Sequence, residues 1–129
     1  MRTDLMEGAL HGSQAGNLTF PQVVGMMIEA GVESYCADYV KREDTFYMPD
    51  GRTFALPMNL PPVPISEEFS ETSLVAAIHG AQRDEVRFPE FLKLSLAAGV
   101  VAYRVFVTGR RAVYWGRKGE IHVEEFPRS

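Results

Sequence analysis

The chain of 129 residues holds one cysteine, Cys36, and one tryptophan, Trp115. A lone cysteine excludes an internal disulfide and leaves no second thiol with which to share a metal. Cys36 therefore reads as a small apolar residue in a strand. No apolar run approaches the roughly 18 residues of a membrane-spanning helix. The opening MRTDLMEGALHG lacks the apolar core of a signal peptide, so the expectation is a cytoplasmic protein with no membrane partner. A Gly-rich phosphate loop, a Gly-x-Ser-x-Gly elbow, His-Glu-x-x-His and Cys-x-x-Cys are all missing. That weighs against an ordinary hydrolase or nucleotide enzyme, although a dispersed active site needs no such motif.

Basic charge is also in short supply, with 13 Lys and Arg against 17 Asp and Glu and a net charge of −4. An acidic balance argues against wholesale wrapping of nucleic acid. The deficit is confined to one half: residues 1–64 carry eight acidic and four basic groups, whereas residues 65–129 carry nine of each. At 46% hydrophobic and 23% charged, the composition is that of a globular protein rather than a disordered one. The length fits one domain, 1–129, burying roughly two thirds of its unfolded surface.

What is present is a repetition. Sliding the chain against itself by 68 residues aligns twelve identical pairs without a gap, among them His11/His79, Gly12/Gly80, Gln14/Gln82, Phe20/Phe88, Pro21/Pro89, Tyr35/Tyr103, Arg42/Arg110 and Gly51/Gly119. The chain reads as a duplicated unit whose halves must be placed equivalently. Residues 1–56 form the first repeat and 65–129 the second. The segment 57–64, with four prolines, reads as the linker, because proline continues neither a helix nor a central strand.

Each repeat opens with a helical stretch, Leu5 to Leu10 or Leu74 to Gln82, the latter with Thr72 as a plausible cap. After a short break, Phe-Pro starts a second helix at Pro21 and Pro89. Its apolar stripe is Val23, Val24, Met27 and Ile28, or Phe91, Leu92, Leu94 and Leu96. Gly31 and Gly99 stand where a left-handed cap wants glycine. The period then changes to two, with Tyr35, Ala37, Tyr39 and Tyr103, Val105, Val107 as the buried sides of strands. Turns near Lys41-Arg42 and Thr108-Gly109 lead to second strands at 45–48 and 112–116. Hairpins at Asp50-Gly51 and Lys118-Gly119 lead to third strands at 52–56 and 120–126. The fold expected is α+β: two tandem helix-helix-three-stranded-meander repeats packed about a pseudo-twofold axis, with an antiparallel sheet and helices on one side.

Phe-Pro, eight residues, Ala-Gly-Val, two residues, Tyr, then an arginine and a Gly-containing hairpin form a pattern. Its elements are Leu18 to Val24, Ala30-Gly-Val32 and Tyr35, then Phe88 to Leu92, Ala98-Gly-Val100 and Gly109 to Tyr114. In this the chain resembles a bacterial family catalogued as domain of unknown function 1398, some of whose members carry the label "phage envelope protein". The resemblance covers nearly the whole chain and implies a fold; it implies no chemistry.

Several constellations bear weighing. Residues 79–90 resemble the exit of a calcium-binding loop, yet His79, Ala81 and Arg83 stand where carboxylates belong, so no calcium is expected. His11 and His79 are too few ligands for a metal site, and no cofactor is expected. His122 lies beside Glu120 and Glu124 on one face of a strand, where acid-base chemistry is conceivable. Tyr35 and Tyr103 invite a hydroxyl lock to Arg42 and Arg110 or to a main-chain group. Arg110, Arg111, Tyr114, Trp115, Arg117 and Lys118 crowd one meander as a phosphate-and-stacking surface would, or else Trp115 covers the helices and the charges solubilise a hairpin. The candidate binding residues are those six with His122 and Tyr103; no catalytic residue is assigned. The function expected is a non-enzymatic small binding or protein-interaction module, with a protein partner or small anionic ligand. The alternatives are an enzyme acting on a small anionic substrate, around Arg110, His122, Glu120 and Tyr103, or a nucleic-acid accessory protein using the Arg110 to Lys118 hairpin.

Overall fold

Three of the four helices in the described residues begin at a capping hydroxyl or a proline; the first, after Arg2, has neither. At Thr19 the cap is reciprocal: the Gln22 amide donates to Thr19 Oγ1 at 3.3 Å, and the Thr19 amide donates to Gln22 Oε1 at 2.8 Å. A computed structural model describes residues 1–127. Its elements run α1 (Thr3–Gln14), α2 (Phe20–Ala30), β1 (Ser34–Asp38), β2 (Glu43–Tyr47), β3 (Thr53–Pro57), α3 (Glu71–Gln82), α4 (Phe88–Ala97), β4 (Val100–Phe106), β5 (Arg111–Gly116) and β6 (Ile121–Glu125). The described residues form an α+β fold of four helices and one six-stranded antiparallel sheet, ordered β3-β2-β1-β4-β5-β6.

The two meanders meet through β1 and β4, which pair antiparallel with Cys36 opposite Arg104, its counterpart 68 residues on. Register repeats as well: Tyr35 faces Phe46 in the first meander, and Tyr103 faces Tyr114 in the second. The positive-φ residues among those described fall into four pairs with that same spacing, Gly16/Asp84, Gly31/Gly99, Arg42/Arg110 and Gly51/Gly119. Arg42 and Arg110 both take φ 57°, and their carbonyls accept the Met58 and Phe126 amides at 2.9 Å. The shared arginine therefore marks a backbone turn. The expected hydroxyl lock is not what it serves: Tyr35 and Tyr103 lie buried in the core while both arginines are exposed.

Alternate strand residues face the helices, and Tyr35, Ala37, Tyr39, Tyr103, Val105 and Val107 are all buried there. They join Met6, Met27, Leu74, Leu92 and Leu96 from the helices in one continuous core. The shared His-Gly step also has a packing reason. A Cβ at Gly12 would stand 2.6 Å from Leu18 Cδ1, and one at Gly80 would stand 2.7 Å from Val86 Cγ2. In each half the loop after the first helix folds back onto that glycine.

Some boundaries differ from the sequence expectation. Ser70, not Thr72, caps α3, its hydroxyl accepting the Ser73 amide at 3.2 Å. The third strand of the first meander runs through Pro57, the residue read as the start of the linker; proline is tolerated because β3 is an edge strand. Met58 is fully buried and Leu60, Val63 and Ile65 pack on the core, so the linker contributes apolar cover as well as length. Ile28 and Leu94, assigned to apolar stripes, are solvent-exposed, because each helix turns Met27 or Leu92 and Leu96 to the sheet instead.

Candidate functional site

β2 presents Asp44 and Phe46 to the core, because a strand sends alternate side chains to one face. Phe46 suits that position. Asp44 is only 6% exposed, and its Oδ1 has no hydrogen-bond partner among the described residues. Burial pushes its carboxyl from 3.8 up to about 7, with no cation among the described residues offsetting the loss of water. At the equivalent place in β5 the chain has Ala112, which packs without cost.

Asp44 lines a cavity of about 80 Å³ between the helices and the centre of the sheet. Most of its wall comes as counterparts from the two halves: Phe20 with Phe88, Tyr35 with Tyr103, Phe46 with Tyr114, and the loop residues Leu18 with Val86 and Thr19 with Arg87. Three polar groups have apolar counterparts 68 residues away: Ser13 with Ala81, Tyr114 with Phe46 and Asp44 with Ala112. Arg87 ties the two loops together by donating from Nη1 to the Gly16 carbonyl at 3.0 Å, while its other nitrogens bond Asp84. The phenols of Tyr35 and Tyr114 are pushed above their ordinary range by burial, and that of Tyr103 well above it. Burial raises the Tyr39 phenol as well, although its hydroxyl shares a hydrogen bond with Ser95 Oγ at 2.7 Å.

Of the eight residues singled out from the sequence, Tyr103 and Tyr114 line this cavity, their rings 5.2 Å apart. The other six do not converge. Tyr114 and Trp115 are neighbours on a strand and so face opposite sides of the sheet: Tyr114 covers the core, and Trp115 stands half-buried on the face away from the helices. Arg110 sits in a turn with its guanidinium 5.5 Å from the centre of the Phe126 ring, in a surface groove beside α2 that lacks His122. Arg111 pairs with Glu125 at 3.4 Å and Lys118 with Glu68 at 3.6 Å. Arg117 is exposed in the hairpin turn.

His122 is held between two carboxylates. Nδ1 lies 2.7 Å from Glu71 Oε2 and Nε2 lies 2.9 Å from Glu124 Oε1. Burial would lower its pKa, but the hydrogen bonds it makes to the Glu124 and Glu71 carboxylates prevail and raise it. Glu120, expected beside it, turns back to accept the Lys118 amide at 2.8 Å. His79 approaches Glu124 at 3.4 Å, and His11 is exposed. Among the described residues no group of His, Cys, Asp and Glu is arranged to hold a metal.

Two features escaped the sequence reading. Asp44 had no signal beyond the alternation that puts it on the Phe46 side of its strand, which a closer count of period two exposes. Arg104, on the open side of the sheet, lies with its guanidinium 4.1 Å from the Tyr47 ring centre and donates to Ser34 Oγ at 2.9 Å, fastening β4 across β1 to β2.

Among the described residues no helix is long and apolar enough to cross a membrane. No curated protein matches the chain. The family model described as "Protein of unknown function (DUF1398)" matches residues 3–125. With nearly its whole length matched, the chain belongs to the DUF1398 family.

Proposed function

We propose that this protein is a non-enzymatic binding module, built from two copies of one unit, that takes a small, largely apolar ligand group into the cavity beside Asp44. The observation that carries the reading is the Oδ1 of a buried carboxyl, unpartnered among the described residues. Leaving a buried acceptor unsatisfied costs about 1–3 kcal/mol, and more for a charged group. Position 112 supports the argument: alanine occupies the same place in the other half, so the architecture does not require an acid there. A cost kept at one of two equivalent places is the mark of a site that a ligand completes.

Catalysis finds less support. A general base needs a free lone pair near the reacting proton. Both ring nitrogens of His122 are engaged by carboxylates, an arrangement that favours the doubly protonated ring. A second reading, protein interaction, draws on the uncovered face of the sheet, where Ile121 is 57% and Val123 45% exposed beside the half-buried Trp115.

Titrating the labelled protein with fragments of roughly three or four heavy atoms, cationic, neutral and anionic, tests the first reading by NMR. Shifts concentrated at Tyr35, Phe46, Tyr103 and Tyr114 support it. Fragments that perturb only the Arg110 to Lys118 hairpin or the open sheet face would refute it.

A further inference from the structure

We infer that the group this cavity takes is a small alkylammonium head, held by the carboxylate of Asp44 among aromatic rings. The inference rests on the binding-module reading and adds the chemical class of the ligand.

Two observations point to a cation. Seven aromatic residues line the wall, Phe20 and Phe88, Tyr35 and Tyr103, Phe46 and Tyr114, and Phe91, alongside aliphatic residues such as Leu10, Leu18, Val23 and Val86. Aromatic faces carry negative potential and attract cations, which is how aromatic cages hold alkylated ammonium groups. The carboxylate among those rings has no counter-charge among the described residues: burial governs its pKa, and the only basic residue of the wall, Arg87, is already bonded to Asp84 and the Gly16 carbonyl. A ligand cation would supply that missing charge. An anion would instead meet both the carboxylate and the ring faces, which argues against the anionic ligand expected from the sequence at this cavity.

Size narrows the class. A cavity of about 80 Å³ is near half the ~150 Å³ of one that accepts benzene. By that ratio to benzene's six heavy atoms there is room for about three, an ammonium nitrogen and its nearest carbons.

The pH behaviour follows from the groups that face the cavity. Asp44 comes from β2, Tyr35 from β1, Tyr103 from β4, Tyr114 from β5 and Arg87 from the loop before α4; the wall residues of α1, α2 and α3 carry no charge. Burial raises all three phenols, so Asp44 is the group whose charge changes near neutrality.

The experiment compares ethylammonium, ethanol and acetate, which are close in size and differ in charge, by NMR titration and calorimetry at about pH 6 and pH 8 and fixed ionic strength. Ethylammonium should bind at least about tenfold more tightly than ethanol at pH 8, and acetate most weakly. Its affinity should fall roughly tenfold at pH 6, the ratio of ionised fractions for a group titrating near 7. Asp44→Asn and Asp44→Ala, each checked for folding by circular dichroism, should lose both the cation preference and the pH dependence while still binding ethanol. Equal, pH-independent binding of ethanol and ethylammonium, or a preference for acetate, would overturn the cation and leave the binding module standing. Binding of none of the three at the cavity would overturn both.

Discussion

Replacing Asp44 with Asn should make the protein more stable, and by an amount that depends on pH. An unfolded aspartate titrates near 3.9, whereas burial holds the folded carboxyl at about 7. Below about pH 4 both states bind the proton and the acid adds no pH-dependent term. Between about pH 4 and 7 the unfolded chain releases the proton and the folded one keeps it, so stability falls by about 1.4 kcal/mol per pH unit. Above 7 both are ionised and the loss levels off near 4 kcal/mol, a large share of the roughly 5–15 kcal/mol typical of a domain. Asparagine has nearly the same shape and no titration. The difference between variant and parent should therefore be near zero at about pH 4 and reach about 2–4 kcal/mol by pH 8, the lower figure allowing for relaxation around the ionised group. Urea unfolding followed by Trp115 fluorescence and far-ultraviolet circular dichroism at unit steps of pH measures it. His122 also has a raised folded pKa, so its contribution is present at low pH and lost as pH rises through that value. It does so in both proteins and cancels in the difference. A gap that stays flat within about 0.5 kcal/mol over the range, or an Asn variant less stable at pH 8, would refute the reasoning.

Three further outcomes are expected. Gly31→Ala and Gly99→Ala change equivalent glycines in the left-handed region, yet a Cβ at Gly31 meets only Met48 Cε at 3.8 Å, while one at Gly99 would stand 2.5 Å from the Glu68 carbonyl oxygen. The first should cost about 1 kcal/mol and the second about 3 kcal/mol or more, read by urea unfolding; equal losses would contradict the packing account. Ser95→Ala should cost about 1–3 kcal/mol by leaving the buried Tyr39 hydroxyl without its partner, and adding Tyr39→Phe should recover most of that loss in a double-mutant cycle. A fragment of residues 1–61 should show no cooperative thermal transition as a monomer, because it leaves β1 as an open edge and its core face uncovered where β4 belongs; a sharp monomeric melt would show that one half suffices.

Local chemistry was legible along the chain wherever one residue type has one conformational use. Phe-Pro marks the start of α2 and α4, Gly31 and Gly99 mark their ends, and Gly51 and Gly119 mark the hairpins, because missing amide hydrogens and tolerance of positive φ act within a few residues. The alternation of Tyr35, Ala37 and Tyr39 likewise announced a buried strand face before any partner was known. Function-bearing side chains were another matter. Arg110, Arg111, Trp115, Arg117 and Lys118 are close in sequence, but they are spread along one strand and its two turns, and Arg111 and Lys118 pair with Glu125 and Glu68, so proximity along the chain did not gather their side chains in one place. Asp44 looked like one acid among many in an acidic half.

By itself, then, the sequence determined the kinds and order of the elements and the family, since these depend on short-range backbone preferences and on pattern. Only the tertiary structure decided that β1 and β4 join the two meanders into one sheet, and that the helices close over its centre with a carboxyl and seven aromatic rings around a cavity. Whether an aspartate is solvated or stranded depends on what long-range packing brings against it, and that contact joins segments far apart in the chain.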